Sequence, residues 1–120
     1  MKPVLIVDDE HDILSFLKWE LKQSKIQSDQ VDNPEDAIKL LKENEYLCVL
    51  TDIVLKNISS EKIVNFIKSE ENLINKELPI IVMSGKINDE FIERHKSKFY
   101  KIVEKPFSQG EIIKILNELI

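Results

Sequence analysis

The sequence predicts an α/β three-layer sandwich on a five-stranded parallel sheet, and three observations carry that prediction. Short apolar runs alternate five times with stretches of helical periodicity along the 120 residues, the pattern of successive β-then-α units. The strand runs are mostly continuous rather than alternating, as in strands covered on both faces. Two glycines and four prolines leave no linker, low-complexity segment or repeat. A chain of this size closes one hydrophobic core, so residues 1–120 read as one domain.

The elements follow in order. Val4 to Val7 is the first strand, and Ile13, Phe16, Leu17 and Leu21 recur behind it at helical spacing. Ile26 to Val31 reads as a second, more polar and less buried strand. Asn33-Pro34 then supplies a helix cap and first helical residue, with Glu35 and Asp36 placed for the dipole; Ala37, Ile38, Leu40 and Leu41 continue that helix. Leu47 to Leu50 is the third strand, and Ile63, Val64, Phe66 and Ile67 mark a third helix. Pro79 to Met83 is the fourth strand, with a short, poor helix at Phe91-Ile92, and Tyr100 to Val103 is the fifth. Ser108 and Glu111 form an S-x-x-E capping box for a last helix whose apolar face is Ile112, Ile113, Ile115, Leu116 and Leu119.

Composition excludes several function classes. A formal charge of −5 argues against a nucleic-acid surface, which needs clustered positive charge; the lysines are interleaved with acids and read as a solvated face. Cys48, inside an apolar run, reads as a buried structural thiol in a reducing compartment. The start shows no signal-peptide pattern, and no apolar stretch approaches the roughly 20 residues that span a bilayer. The expected location is the cytoplasm, with no membrane partner. His11 and His95 lack metal-ligand spacing and read as solvated, and Trp19 falls off the core stripe of its helix.

The chemistry-bearing residues stand at strand ends: Asp8-Asp9-Glu10, Asp52, Ser84-Gly85 and Lys105-Pro106. Alone, each has a plainer reading, as a helix cap, a turn or a solvated loop. Sequence does not fix strand order, but the flavodoxin-like order 2-1-3-4-5 makes the first and third strands neighbours and puts the ligand crevice between them. Asp8, Asp9 and Asp52 would then crowd together, and like charges that close repel unless something cancels the field. Oxygen-only ligands with open positions favour Mg²⁺ (or Mn²⁺). Beside it, Asp52 is the natural nucleophile toward a phosphoryl group. Lys105 and Ser84 would cover phosphoryl oxygens not held by the metal, and Gly85 would offer an unobstructed N–H.

Val7-Asp8-Asp9-Glu10, Leu50-Thr51-Asp52-Ile53, Val82-Met83-Ser84-Gly85 and Glu104-Lys105-Pro106-Phe107, in this order and spacing, resemble the receiver domain of two-component response regulators over essentially all 120 residues. The resemblance implies that Asp52 accepts phosphate from a sensor histidine kinase or phosphotransfer protein. It further implies that Asp9 binds Mg²⁺ directly, Asp8 largely through water and Val54 through its backbone carbonyl, and that the Lys105-Pro106 bond is cis. The first helix and the loop around Phe107 would dock the kinase, with Ile13, Phe16 and Phe107 as apolar contacts. A downstream protein target or an output domain outside these residues would receive the signal, and phosphorylation could drive homodimerisation through the fourth helix, fifth strand and fifth helix.

Some positions depart from the family pattern. Leu55-Lys56 stand where Met-Pro is common, Ser59-Ser60 where a Gly follows, and Ile102 where a switching aromatic is usual. The standard inward rotation of that ring therefore cannot occur; Tyr100 shares the strand face two residues earlier. Val54 and Lys86 flank the path of hydrolytic water, and an apolar Val54 is expected to lengthen the phosphoryl lifetime, which decay measured against Val54→Asn would test. Two rival readings stay open: a receiver of the same fold that signals by protein contacts without phosphate, and a Mg²⁺-dependent phosphohydrolase with an aspartyl intermediate. The second lacks the D-x-D spacing and a cap domain. Neither nucleotide-binding glycine motif is present.

Overall fold

A computed structural model describes the chain except residues 56, 57 and 86–89, with Val54, Leu55, Ile58, Ser59 and Phe91 described as backbone alone. The elements are β1 (Val4–Val7), α1 (His11–Gln23), β2 (Ser28–Val31), α2 (Pro34–Glu43), β3 (Cys48–Asp52), β4 (Val54–Leu55), β5 (Ile58–Ser59), α3 (Glu61–Ile67), β6 (Ile80–Ser84), α4 (Glu90–His95), a 3₁₀ turn (Lys96–Lys98), β7 (Lys101–Glu104) and α5 (Glu111–Asn117). The five parallel strands lie in the order β2-β1-β3-β6-β7, which is 2-1-3-4-5 when they alone are counted. The expected flavodoxin-like arrangement is the observed one.

Period-2 alternation sorts the continuous apolar strands onto two faces. Leu5, Val7, Val49, Ile80 and Val82 pack with Ala37 and Leu41 of α2, Ile63, Val64, Phe66 and Ile67 of α3 and Ile92 of α4. Val4, Ile6, Cys48, Leu50, Ile81 and Met83 pack with Leu17 and Leu21 of α1 and Ile112 and Leu116 of α5. Strands β1 and β6 are buried along their whole length, whereas β2, an edge strand of sequence SDQV, is only partly covered, as its polarity predicts.

Local chemistry explains the boundaries and several corrections. The Asn33 side chain accepts the Asp36 N–H at 2.8 Å, with Pro34 first in α2. The second strand begins at Ser28 and not at Ile26, because the Ile26 N–H donates to the Leu21 carbonyl (2.9 Å) and closes α1 behind Lys25, which sits at φ 61°. Only half of the predicted capping box forms. Glu111 reaches back to the Ser108 N–H at 3.0 Å, but α5 starts two residues later than a Ser108 cap requires, behind Gly110 at φ 84°. The short antiparallel pair β4–β5 was not expected. Lys56 and Lys86 lie outside the described residues.

Two further readings change. His95 is buried, at 7% exposure, and not solvated: it closes α4 against α3, with Nε2 3.9 Å from Glu61 Oε1 and Nδ1 3.2 Å from Lys98 Nζ. Tyr100 precedes β7, so the i, i+2 relation with Ile102 does not hold. Its hydroxyl donates to Glu118 beyond α5, while Ile102 packs on the opposite cluster. Trp19 is exposed, as expected, and Cys48 buried.

Candidate functional site

Parallel pairing sets the C-terminal ends of four strands side by side: Val7 opposite Thr51, Asp52 opposite Met83 and Ser84 opposite Glu104. Whatever follows each strand therefore meets at one edge of the sheet. The ends are fastened by backbone bonds: the Lys105 N–H donates to the Ser84 carbonyl at 2.7 Å and the Ile53 N–H to the Met83 carbonyl at 3.2 Å. The Lys105-Pro106 peptide is cis, as expected.

Lys105 stands at the centre. Its ammonium donates to Asp8 Oδ2 at 2.7 Å and lies 3.3 Å from Asp52 Oδ2 and 3.8 Å from Glu10 Oε1. Asp8 is fully buried, and the Lys105 and Asp52 side chains are only 13% and 14% exposed. The second oxygen of each aspartate is also committed: Asp8 Oδ1 accepts the Glu10 N–H (2.9 Å) and Asp52 Oδ1 the Ile53 N–H (2.8 Å). Both carboxylates are thus oriented by backbone N–H groups.

The charge balance is incomplete. Burial pushes the Asp52 carboxyl above its ordinary value; Lys105 pulls it down and Asp8 pushes it up again. Burial by itself would lower Lys105, but its hydrogen bond to Asp8 and the charges of Asp52 and Asp8 outweigh that and hold the ammonium above its usual value. One ammonium serving several carboxylates explains both directions. It is well satisfied, and Asp52 is left short of positive charge.

One oxygen each from Asp8, Glu10 and Asp52 can lie within 4.8 Å of the others. An oxygen-only donor set at this spacing fits a hard divalent cation. Asp8, Asp52 and Lys105 are thus brought together as the sequence predicts. Asp9 is half-buried between Asp8 and Glu10, and Ser84 is buried as the last residue of β6. Gly85 is exposed, and among the described residues a Cβ there would meet no atom within 4 Å, so the approach is open. Val54 begins the short hairpin at the same end. Glu10 joins Asp8 and Asp52 in this cluster; its signal in the sequence is its place in an unbroken run of three acids.

Residues 4–117 match the family model of the response regulator receiver domain. Over 111 residues the chain is 29% identical to the transcriptional regulatory protein SrrA of Staphylococcus aureus, covering 92% of this chain and 44% of that protein. The chain therefore spans less than half the length of the curated relatives it matches. Among solved structures, the response regulator TrrA of Thermotoga maritima in complex with Mg²⁺-BeF superposes with a TM-score of 0.84 at 26% identity, with all of both chains covered. The beryllofluoride-activated NtrC4 receiver domain dimer superposes at 0.85 with 28% identity, covering 99% of this chain and 96% of that one. Among the described residues no helix is long and apolar enough to cross a membrane.

Proposed function

The chain belongs to the response regulator receiver domain family, and from that premise we propose that residues 1–120 form one receiver domain whose Asp52 accepts a phosphoryl group. The observation that carries this reading is the Asp52 carboxylate itself. It lies at the open edge of the sheet, 3.3 Å from Lys105 Nζ and beside the buried Asp8, oriented by the Ile53 N–H.

An Asp52 oxygen attacks the phosphorus of a phosphohistidine on a sensor histidine kinase or phosphotransfer protein. The new O–P bond forms as the P–N bond breaks, and the imidazole leaves with the electron pair and takes a proton from solvent. Asp8, Asp9, Asp52 and the Val54 carbonyl would hold Mg²⁺ (or Mn²⁺). When bound, that ion supplies positive charge to the phosphoryl oxygens. Lys105 turns from Asp52 to a phosphoryl oxygen, the Ser84 hydroxyl donates to another, and the Gly85 N–H completes the cradle. The protein is a phosphoacceptor that promotes its own phosphorylation and dephosphorylation and turns over no separate substrate.

The rings of Phe16 of α1 and Phe107 beside Lys105 lie tilted against each other with centroids 6.2 Å apart, an apolar patch suited to kinase docking. The greater length of SrrA and the dimer formed by NtrC4 support an output domain or partner outside these residues and dimerisation on phosphorylation. The test is intact mass after incubation with acetyl phosphate, with and without Mg²⁺, beside Asp52→Asn. A Mg²⁺-dependent gain of one phosphoryl group, absent in the variant, is expected. Lys105 pairs with both Asp8 and Asp52, and no gain would favour a receiver that signals by protein contacts alone.

A further inference from the structure

Glu10 occupies the N-cap position of α1, where a side-chain oxygen ordinarily accepts an N–H of the first turn. It does not do so: no side-chain cap hydrogen bond forms. Its carboxylate instead turns toward the strand ends, 3.8 Å from Lys105 Nζ and close enough for one of its oxygens to lie within 4.8 Å of oxygens from Asp8 and Asp52. Its side chain is 62% exposed, so solvent offered it an alternative. An exposed carboxylate that forgoes capping to approach two other carboxylates moves against like-charge repulsion. It also approaches an ammonium that already serves Asp8 and Asp52 at shorter range.

We propose that Glu10 is an additional carboxylate of the divalent-cation site, placed at its mouth, and that its charge raises the affinity for the ion. The proposal rests on the receiver reading above and adds to it a residue outside the Asp8, Asp9, Asp52 and Val54 set. The same residue acts twice. Its backbone N–H fixes Asp8 through Oδ1 at 2.9 Å, leaving Oδ2 facing the site, and its side chain adds negative charge where the ion enters. At this range a carboxylate interacts appreciably with a divalent ion even through water, less so as salt rises. Its exposure suits contact through a water of the hydrated ion, since Mg²⁺ keeps several of its waters.

The test is calorimetric titration of the unphosphorylated protein with Mg²⁺ and with Mn²⁺ at low ionic strength. Wild type is compared with Glu10→Gln, Glu10→Asp, Asp52→Asn and Asp12→Asn. Asp12 is an exposed acid in the first turn of the same helix, so its variant repeats the change in net charge away from the site. We expect Glu10→Gln to raise the Kd about fivefold or more, Asp12→Asn to change it less than about twofold, and Glu10→Asp to fall between, with the Glu10 effect shrinking in added salt. If Glu10→Gln behaves like Asp12→Asn while Asp52→Asn abolishes binding, the role of Glu10 is refuted and the cation site stands. If wild type binds neither ion, the receiver chemistry itself fails.

Discussion

Two polar networks lie at opposite ends of the same parallel sheet, and they are built on opposite rules. At the N-terminal ends of β3 and β6, Asn75 accepts the Tyr46 N–H (2.8 Å) and donates through Nδ2 to the Leu41 and Asn44 carbonyls (2.7 Å each). It is itself held by Asn72, which accepts its N–H and donates to its carbonyl. Every group is neutral, and Asn75 uses both of its Nδ2 donors and its Oδ1 acceptor. At the C-terminal ends stand Asp8, Asp52 and Glu10 around one ammonium, a cluster that carries excess negative charge. A satisfied neutral network fixes the loops it joins, whereas a charged one with excess negative charge suits the cation and phosphoryl group proposed above.

Lys105→Ala should break the comparison hardest. It leaves the fully buried Asp8 carboxylate held by the Glu10 N–H with no ammonium beside it, and stripping one side of a buried pair costs about 3–5 kcal/mol. Urea denaturation in chelator should show that loss, with part of it regained in millimolar Mg²⁺. A loss under about 1 kcal/mol would mean that water already reaches Asp8. Asn75→Ala comes next, at about 2–3 kcal/mol, because it strands one N–H and two carbonyls that are mostly buried. The two variants should differ in kind: Asn75→Ala stability should not respond to Mg²⁺, and its phosphoryl uptake should match wild type. Slower uptake by folded Asn75→Ala would show that the two ends are coupled.

Much of the charged end is legible in the sequence, because the residues that carry it stand directly after continuous apolar runs. Once β1 and β3 are neighbours, Asp8 and Asp52 must meet, and β7 brings in Lys105. What sequence hides are contacts made across elements. Nothing near His95 signals burial; it follows from where α3 puts Glu61. Ile26 reads as a strand residue until its N–H is seen closing α1. Ser108-x-x-Glu111 matches a capping pattern, yet Gly110 at positive φ lets α5 begin later. The neutral network is hidden for the same reason, since Asn72 and Asn75 in a polar stretch look like an ordinary loop. The direction of Glu10 was hidden too, as an acid at a helix start has a sufficient local explanation.

The smallest effect tests the quiet end along a single strand, since β3 runs from Cys48 at one network to Asp52 at the other. Cys48 is fully buried, and burial alone pushes its thiol up to about 12 from an ordinary 9.0. A thiol raised in the folded state adds stability that is complete below the unfolded value and is lost as pH climbs from there toward the folded one. Above pH 9 the unfolded chain releases a proton that the folded chain keeps. The margin of wild type over Cys48→Ala should therefore be flat from pH 6 to 8 and narrow by about 1 kcal/mol by pH 10. Measuring the difference against the alanine variant cancels the tyrosines and lysines that titrate in the same range. A margin that stays constant to pH 10 would mean that the thiol ionises as readily in the folded chain as in the unfolded one. The N-terminal end of β3 would then be as open to charge as its Asp52 end, and the contrast between the two networks would lie in their residues rather than in what the fold keeps from water.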